Sequence, residues 1–133
     1  MTHLIELPGA VLESARPDLV EVRFKPDHTL TADTIATVLA ARREHFGGHM
    51  HHVLFITPED LDFDLGAMTV DHCSGRMQDL TKSITWAVEG SLARSMVELY
   101  YAYFPSEVPV QVIDGEAAAR KALLERLPAP SAN

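Results

Sequence analysis

The chain is short of cysteine, of positive charge and of long apolar runs, and each shortage excludes something. One cysteine, Cys73, stands among 133 residues. No disulfide can close within the chain, which fits a reducing compartment. Eleven Lys and Arg face nineteen Asp and Glu, a formal charge of −8. A domain of that sign is repelled by a phosphate backbone and by an anionic membrane, so neither nucleic acid nor membrane is an expected partner. No apolar stretch approaches the roughly 18 residues of a spanning helix. The start, Met1-Thr2-His3-Leu4-Ile5-Glu6, lacks the basic and apolar regions of a secretory leader. The expected location is the cytoplasm.

What is present is ordinary for a folded protein: 47% hydrophobic and 23% charged residues. The length reads as one domain over residues 1–133, with an N-terminal β extension over 1–17 and a flexible tail over 128–133. Pro8-Gly9 and Ala15-Arg16-Pro17-Asp18 punctuate the first extended segments. From Leu19 to Phe24 the pattern alternates. Val20, Val22 and Phe24 fall on one face, Glu21 and Arg23 on the other, as in a half-solvated strand. Thr31 is the expected N-cap of an amphipathic helix carrying Ile35, Val38, Leu39, Arg42 and Phe46, stopped by Gly47-Gly48. His52 to Ile56 is nearly continuous and apolar, which suits a strand covered on both faces.

Asp64 is expected to cap a helix running to about Leu80, with Leu65, Met68, His72 or Cys73, Met77 and Leu80 facing inward. Ser83 to Val88 reads as a strand. Ser91 is the expected N-cap of a helix whose stripe is Leu92, Met96, Leu99, Tyr100, Tyr103 and Phe104. Val110 to Ile113 is a short strand, and Glu116 to Leu127 a last, Ala-rich helix. Alternation of this kind predicts an α/β fold: a mixed sheet of about 4–6 strands with about four helices packed on it.

The C-terminal half also carries a resemblance. Ser83-Ile84-Thr85-Trp86-Ala87-Val88 is followed by Gly90-Ser91 and a helix ending in Tyr100-Tyr101-Ala102-Tyr103-Phe104. Val108-Pro109-Val110-Gln111-Val112-Ile113-Asp114-Gly115-Glu116-Ala117-Ala118-Ala119 then resembles a family ending of Pro-Val-x-Val-Phe, acidic turn and Ala-rich helix. That family is the SpoIIAA-like group of STAS domains, the fold of bacterial anti-sigma-factor antagonists. The resemblance runs from about Val20 to Leu127. It implies a STAS architecture and a non-enzymatic regulatory or protein-interaction module. The antagonists carry a phosphorylatable Ser in an Asp-Ser-Ser-Gly turn after the central strand. Here Asp62-Phe63-Asp64-Leu65-Gly66-Ala67 occupies that place. Asp64 matches, but Leu65 and Gly66 replace the serines, so the family's phospho-switch lacks its hydroxyl. Asp71-His72-Cys73-Ser74-Gly75 imitates the motif later in the chain and reads as helix interior.

Several groups are candidate sites. His45, His49, His51 and His52 offer imidazoles of the kind that ligate zinc, copper or nickel. His51 and His52 should point to opposite sides of a starting strand, so the plainer reading is a solvated loop, and no metal is assigned. Glu59, Asp60, Asp62 and Asp64 lie past the carboxyl end of a strand, where α/β sheets bind ligands. They are candidates to hold Mg²⁺ or to act as acid and base, beside the plainer reading of a solvated loop. Gly90-Ser91 at a helix start is a candidate anion site, or simply a cap. Cys73 on an inward face is expected to be inert. Trp86, Tyr100, Tyr101 and Tyr103 are candidates for an interface or an apolar groove.

Three functions follow as expectations. The first is a non-enzymatic interaction module, a homodimer or bound to another protein, with no cofactor. The second is a carrier of a small apolar or lipid-like ligand, in a pocket of about 300 Å³ or more lined by Met68, Met77, Trp86 and Tyr100. The third is a metal-dependent enzyme using the His45–His52 and Glu59–Asp64 loops.

Overall fold

A computed structural model describes residues 3–59, 62–68 and 80–127. In chain order the elements are β1 (His3–Glu6), β2 (Ala10–Arg16), β3 (Leu19–Phe24), β4 (Thr29–Leu30), α1 (Ala32–Phe46), β5 (His51–Ile56), β6 (Asp62–Phe63), a 3₁₀ turn (Leu65–Met68), β7 (Thr81–Val88), α2 (Ser91–Tyr103), β8 (Val110–Asp114) and α3 (Glu116–Arg126). Six strands form one mixed sheet in the order β1-β2-β3-β5-β7-β8. The first three pair antiparallel, and β3, β5, β7 and β8 pair parallel. Short turns join the antiparallel strands, and the parallel ones need long crossovers, of which α1 supplies that from β3 to β5 and α2 that from β7 to β8. The α/β class and the mixed sheet are as expected.

The described residues refine several expectations. Residues 3–16, the expected N-terminal β extension, form β1 and β2, the antiparallel edge of the main sheet. Three α-helices stand among the described residues, where about four were expected. The helix predicted from Asp64 opens as the 3₁₀ turn. Its continuation through His72, Cys73, Ser74 and Met77 lies outside the described residues. Asp62–Phe63, in the stretch read as a solvated loop, pairs with Thr29–Leu30 as a small parallel ladder that ties the chain after β3 to the chain after β5.

A correction concerns α2. Its N-cap is Gly90, with φ +94, and Ser91 is the first helical residue with no side-chain cap. That backbone lies in the left-handed region, which glycine adopts without strain. The buried stripe of α2 is Ala93, Val97 and Tyr100. Leu92 and Tyr103, expected inside, are 68% and 72% exposed, and Leu99 is 48% exposed. The small side chains of Ala93 and Val97 let the helix lie close on Val88, Trp86 and Val112. α1 begins as expected, with the Thr31 hydroxyl accepting from the Thr34 amide at 3.1 Å.

Register sorts the core onto two faces. Val20, Val53, Ile84 and Val110 align across the parallel strands, as do Val22, Phe55, Trp86 and Val112 two residues on. These rows lie beneath α1 and α2, with Leu12, Leu30 and Val38. The intervening residues point the other way, where Leu19, Leu54, Ile56 and Ala87 pack on Ala119, Leu123 and Leu127.

Candidate functional site

The carboxyl edge of the parallel strands is knitted shut by backbone. The Thr57 amide donates to the Ala87 carbonyl at 3.0 Å, and the Gly115 amide to the Val88 carbonyl at 2.9 Å. Thr57 itself is buried. The acidic candidates fan outward from this edge. Glu59 and Asp64 are exposed, and Asp62 accepts from the Thr29 hydroxyl at 3.1 Å within the β4–β6 ladder. Asp60 lies outside the described residues. Among the described residues, no group of three or more His, Cys, Asp and Glu side chains is placed to hold a metal ion.

The four predicted histidines separate. His51 is fully buried, not solvated, because β5 starts one residue earlier than expected. Its Nδ1 donates to the His49 carbonyl at 2.9 Å, and its Nε2 accepts from Arg42 Nε at 2.8 Å. Those two partners fix the tautomer. Arg42, only 1% exposed, also donates to the Thr81 hydroxyl. Burial, then the charge of Arg42, pushes His51 down to about 4, so it is neutral at pH 7. His52 points to the other face, as expected. Its Nδ1 shares a 2.6 Å hydrogen bond with the Ser83 hydroxyl, and burial lowers its pKa.

His45, in the last turn of α1, and His49, beyond its end, stay exposed. They line a cleft of about 360 Å³ together with His3, Ser14, Arg16, Pro17, Phe46 and Gly48. The rings of His3 and His45 are 6.0 Å apart. Sequence reasoning missed His3, because no local spacing links residue 3 to residue 45; the β1–β2 edge of the sheet brings them together. This cleft lies at the amino ends of β3 and β5, and the acidic loop follows β5's carboxyl end. The two loops of the metal-enzyme expectation therefore sit at opposite ends of the sheet.

The aromatic candidates converge on the face under α1 and α2. Phe55 and Trp86 stack at 4.6 Å, with Phe24 at 6.0 and 6.2 Å from them. The Trp86 indole N–H donates to the Tyr101 hydroxyl at 3.0 Å. Tyr101, off the predicted stripe, thus supplies the acceptor that a half-buried indole needs. Above this floor is a cavity of about 50 Å³ lined by Ile35, Val38 and Leu39 of α1, Met96, Val97 and Tyr100 of α2, and Leu30, Phe63, Ala67 and Met68. That is far below the roughly 300 Å³ of common ligand pockets. Met77, expected in the lining, is outside the described residues, and Tyr103 points away.

Among the described residues, no helix is long and apolar enough to cross a membrane. Compared with protein-family models, with curated proteins and with solved structures, the chain gives no match.

Proposed function

We propose that the chain is a non-enzymatic interaction module of STAS-like architecture that pairs with a second copy of itself through α2. One observation carries this reading: α2 has two apolar stripes, and only one feeds the core. Leu92, Leu99 and Tyr103 recur at seven and then four residues, so they share one helix face, and all three are exposed. A contiguous apolar strip of this kind marks an interface more often than a bare surface. The strip is also self-complementary. When two copies of α2 cross antiparallel about a two-fold axis, Leu92 of each meets Tyr103 of the other.

Charge agrees with that choice of face. The chain as a whole carries −8, which opposes self-association. The one basic and one acidic residue of α2, Arg94 and Glu98, stand 3.8 Å apart as an i,i+4 pair, so this helix is neutral. Sedimentation velocity tests the proposal. The chain is expected to run as a dimer, and the double variant Leu99→Glu with Tyr103→Glu as a monomer of unchanged circular dichroism. A monomeric parent chain at its highest soluble concentration would overturn it.

A second reading, a carrier of a small apolar ligand, draws support from the aromatic-floored cavity. At about 50 Å³ the cavity admits only a few heavy atoms, so the ligand of this reading is small.

A further inference from the structure

Building on the self-pairing proposed above, we infer that the cavity beneath α1 and α2 is an effector site: a small molecule without hydrogen-bonding groups, held there, tightens the pairing of two copies. The lining sets the ligand class. Phe24, Phe55, Phe63 and Trp86 supply ring surfaces, Met68 and Met96 supply thioethers, and among the described residues no charged side chain lines the space. The Trp86 indole N–H is already spent on the Tyr101 hydroxyl at 3.0 Å. A guest that brought its own donor or acceptor would bury it unpaired, which costs more than so small a contact returns. A polarisable apolar guest carries no such cost, and dry apolar voids take up xenon and small hydrocarbons.

The link to pairing runs through α2. Met96, Val97, Tyr100 and Tyr101 of this helix line the cavity, and Leu92, Leu99 and Tyr103 form the exposed strip on its outer side. Met96 belongs to both. It follows Leu92 by four residues and precedes Leu99 by three, so it shares their face of the helix, and it is half-buried where it lines the cavity. An unbranched thioether with three rotatable bonds adapts to the space it is given. While the void is empty, the side chain can turn into it. A guest takes that inward position, so Met96 then lies outward beside Leu92 and Leu99 and widens the strip that meets the second copy. The guest thus favours the paired state, and by linkage pairing tightens the hold on the guest by the same factor.

NMR diffusion of the full chain across a dilution series, with and without pressurised xenon, tests this link. Xenon is expected to shift the methyl signals of Val38, Met96 and Val97, which line the void. It should also lower the dimer dissociation constant about fivefold, the low end of ordinary coupling between sites. Met96→Ala removes the shared side chain and leaves the void open, so it should still take xenon while its dissociation constant stays unmoved. Val97→Ile fills the void and should lose both the shifts and the tightening. A parent dimer that takes up no xenon, or that takes it up without pairing more tightly, would overturn the effector site and leave self-pairing standing. A parent chain that stays monomeric in both conditions would remove self-pairing itself, and the effector site with it.

Discussion

On one face of the sheet, α1 and α2 cover rows of aromatic and branched side chains; on the other, α3 covers part, and ionic pairs take over beyond it. Under α1 the polar groups are sealed in. Arg42, His51 and Thr81 form a buried chain of hydrogen bonds beside Val38 and Val53. On the α3 face the polar groups form an open ladder. Arg23 donates to both oxygens of Glu116, and Arg120 donates to Glu116 at 2.9 Å and to Glu21 at 2.6 and 3.1 Å. A buried network is costly to disturb and little screened, whereas an exposed one is weak and sensitive to salt. Leu54 and Phe55, adjacent in β5, belong one to each regime.

The sharpest way to separate the two faces is pH. The unfolded chain protonates His51 near its ordinary value of 6.5, but the folded chain holds it neutral until about 4. Above 6.5 both states are neutral and stability is full. Between 6.5 and 4 only the unfolded state takes the proton, so about 3 kcal/mol is lost across that window. Urea unfolding at pH 7.0, 5.5 and 4.5 should show the fall. His51→Gln, which keeps a donor and an acceptor without a titrating ring, should flatten it. A parent profile that is flat there would put His51 in water and erase the contrast.

The ladder on the α3 face should respond at lower pH and more weakly. Hydrogen bonds from Arg23, then from Arg120, hold Glu116 down to about 2. Its contribution is present above 4.5 and disappears as pH falls toward 2. At pH 7 Arg120→Met should cost about 1 kcal/mol in dilute buffer and less in about 1 M salt. A loss that salt does not reduce would mean that the ladder behaves as a buried network.

Local periodicity made much of this fold readable. The alternation of Val20, Val22 and Phe24, the run from Val53 to Ile56 and the Thr31 cap are all found where the pattern puts them. α2 was ambiguous for a physical reason. It holds apolar residues at Leu92, Ala93, Met96, Val97, Leu99, Tyr100, Tyr101 and Tyr103, so a period of 3.6 fits two phases. The larger side chains fit one phase, and the smaller Ala93 and Val97, which let the helix approach the sheet, fit the phase that packs. His45, His49, His51 and His52, neighbours in the sequence, part in the fold. Arg42 was placed correctly on the inner stripe of α1, but its partners His51 and Thr81 lie 9 and 39 residues on, beyond any local pattern. His3 meeting His45 is the same kind of long-range pairing, visible only once β1 is laid on the sheet edge.

The smallest effect, and the one that probes packing alone, is expected at the cavity. Val97 lies on the inner stripe of α2, is buried and lines the void. Val97→Ile adds one methyl group where about 50 Å³ is open. A newly buried methyl contributes up to about 0.8 kcal/mol, so a gain of roughly 0.5 kcal/mol is expected in urea unfolding. Added methyls at Ala119, fully buried against the opposite face with Leu54 and Ile56, should destabilise instead, because a close-packed contact has no room for them. The same variants address the carrier reading. Xenon or benzene should raise the melting temperature of the parent chain and fail to do so for Val97→Ile, since the void that takes the probe is already filled. If Val97→Ile destabilises as Ala119→Val does, the two faces are equally tight and the cavity is no site at all.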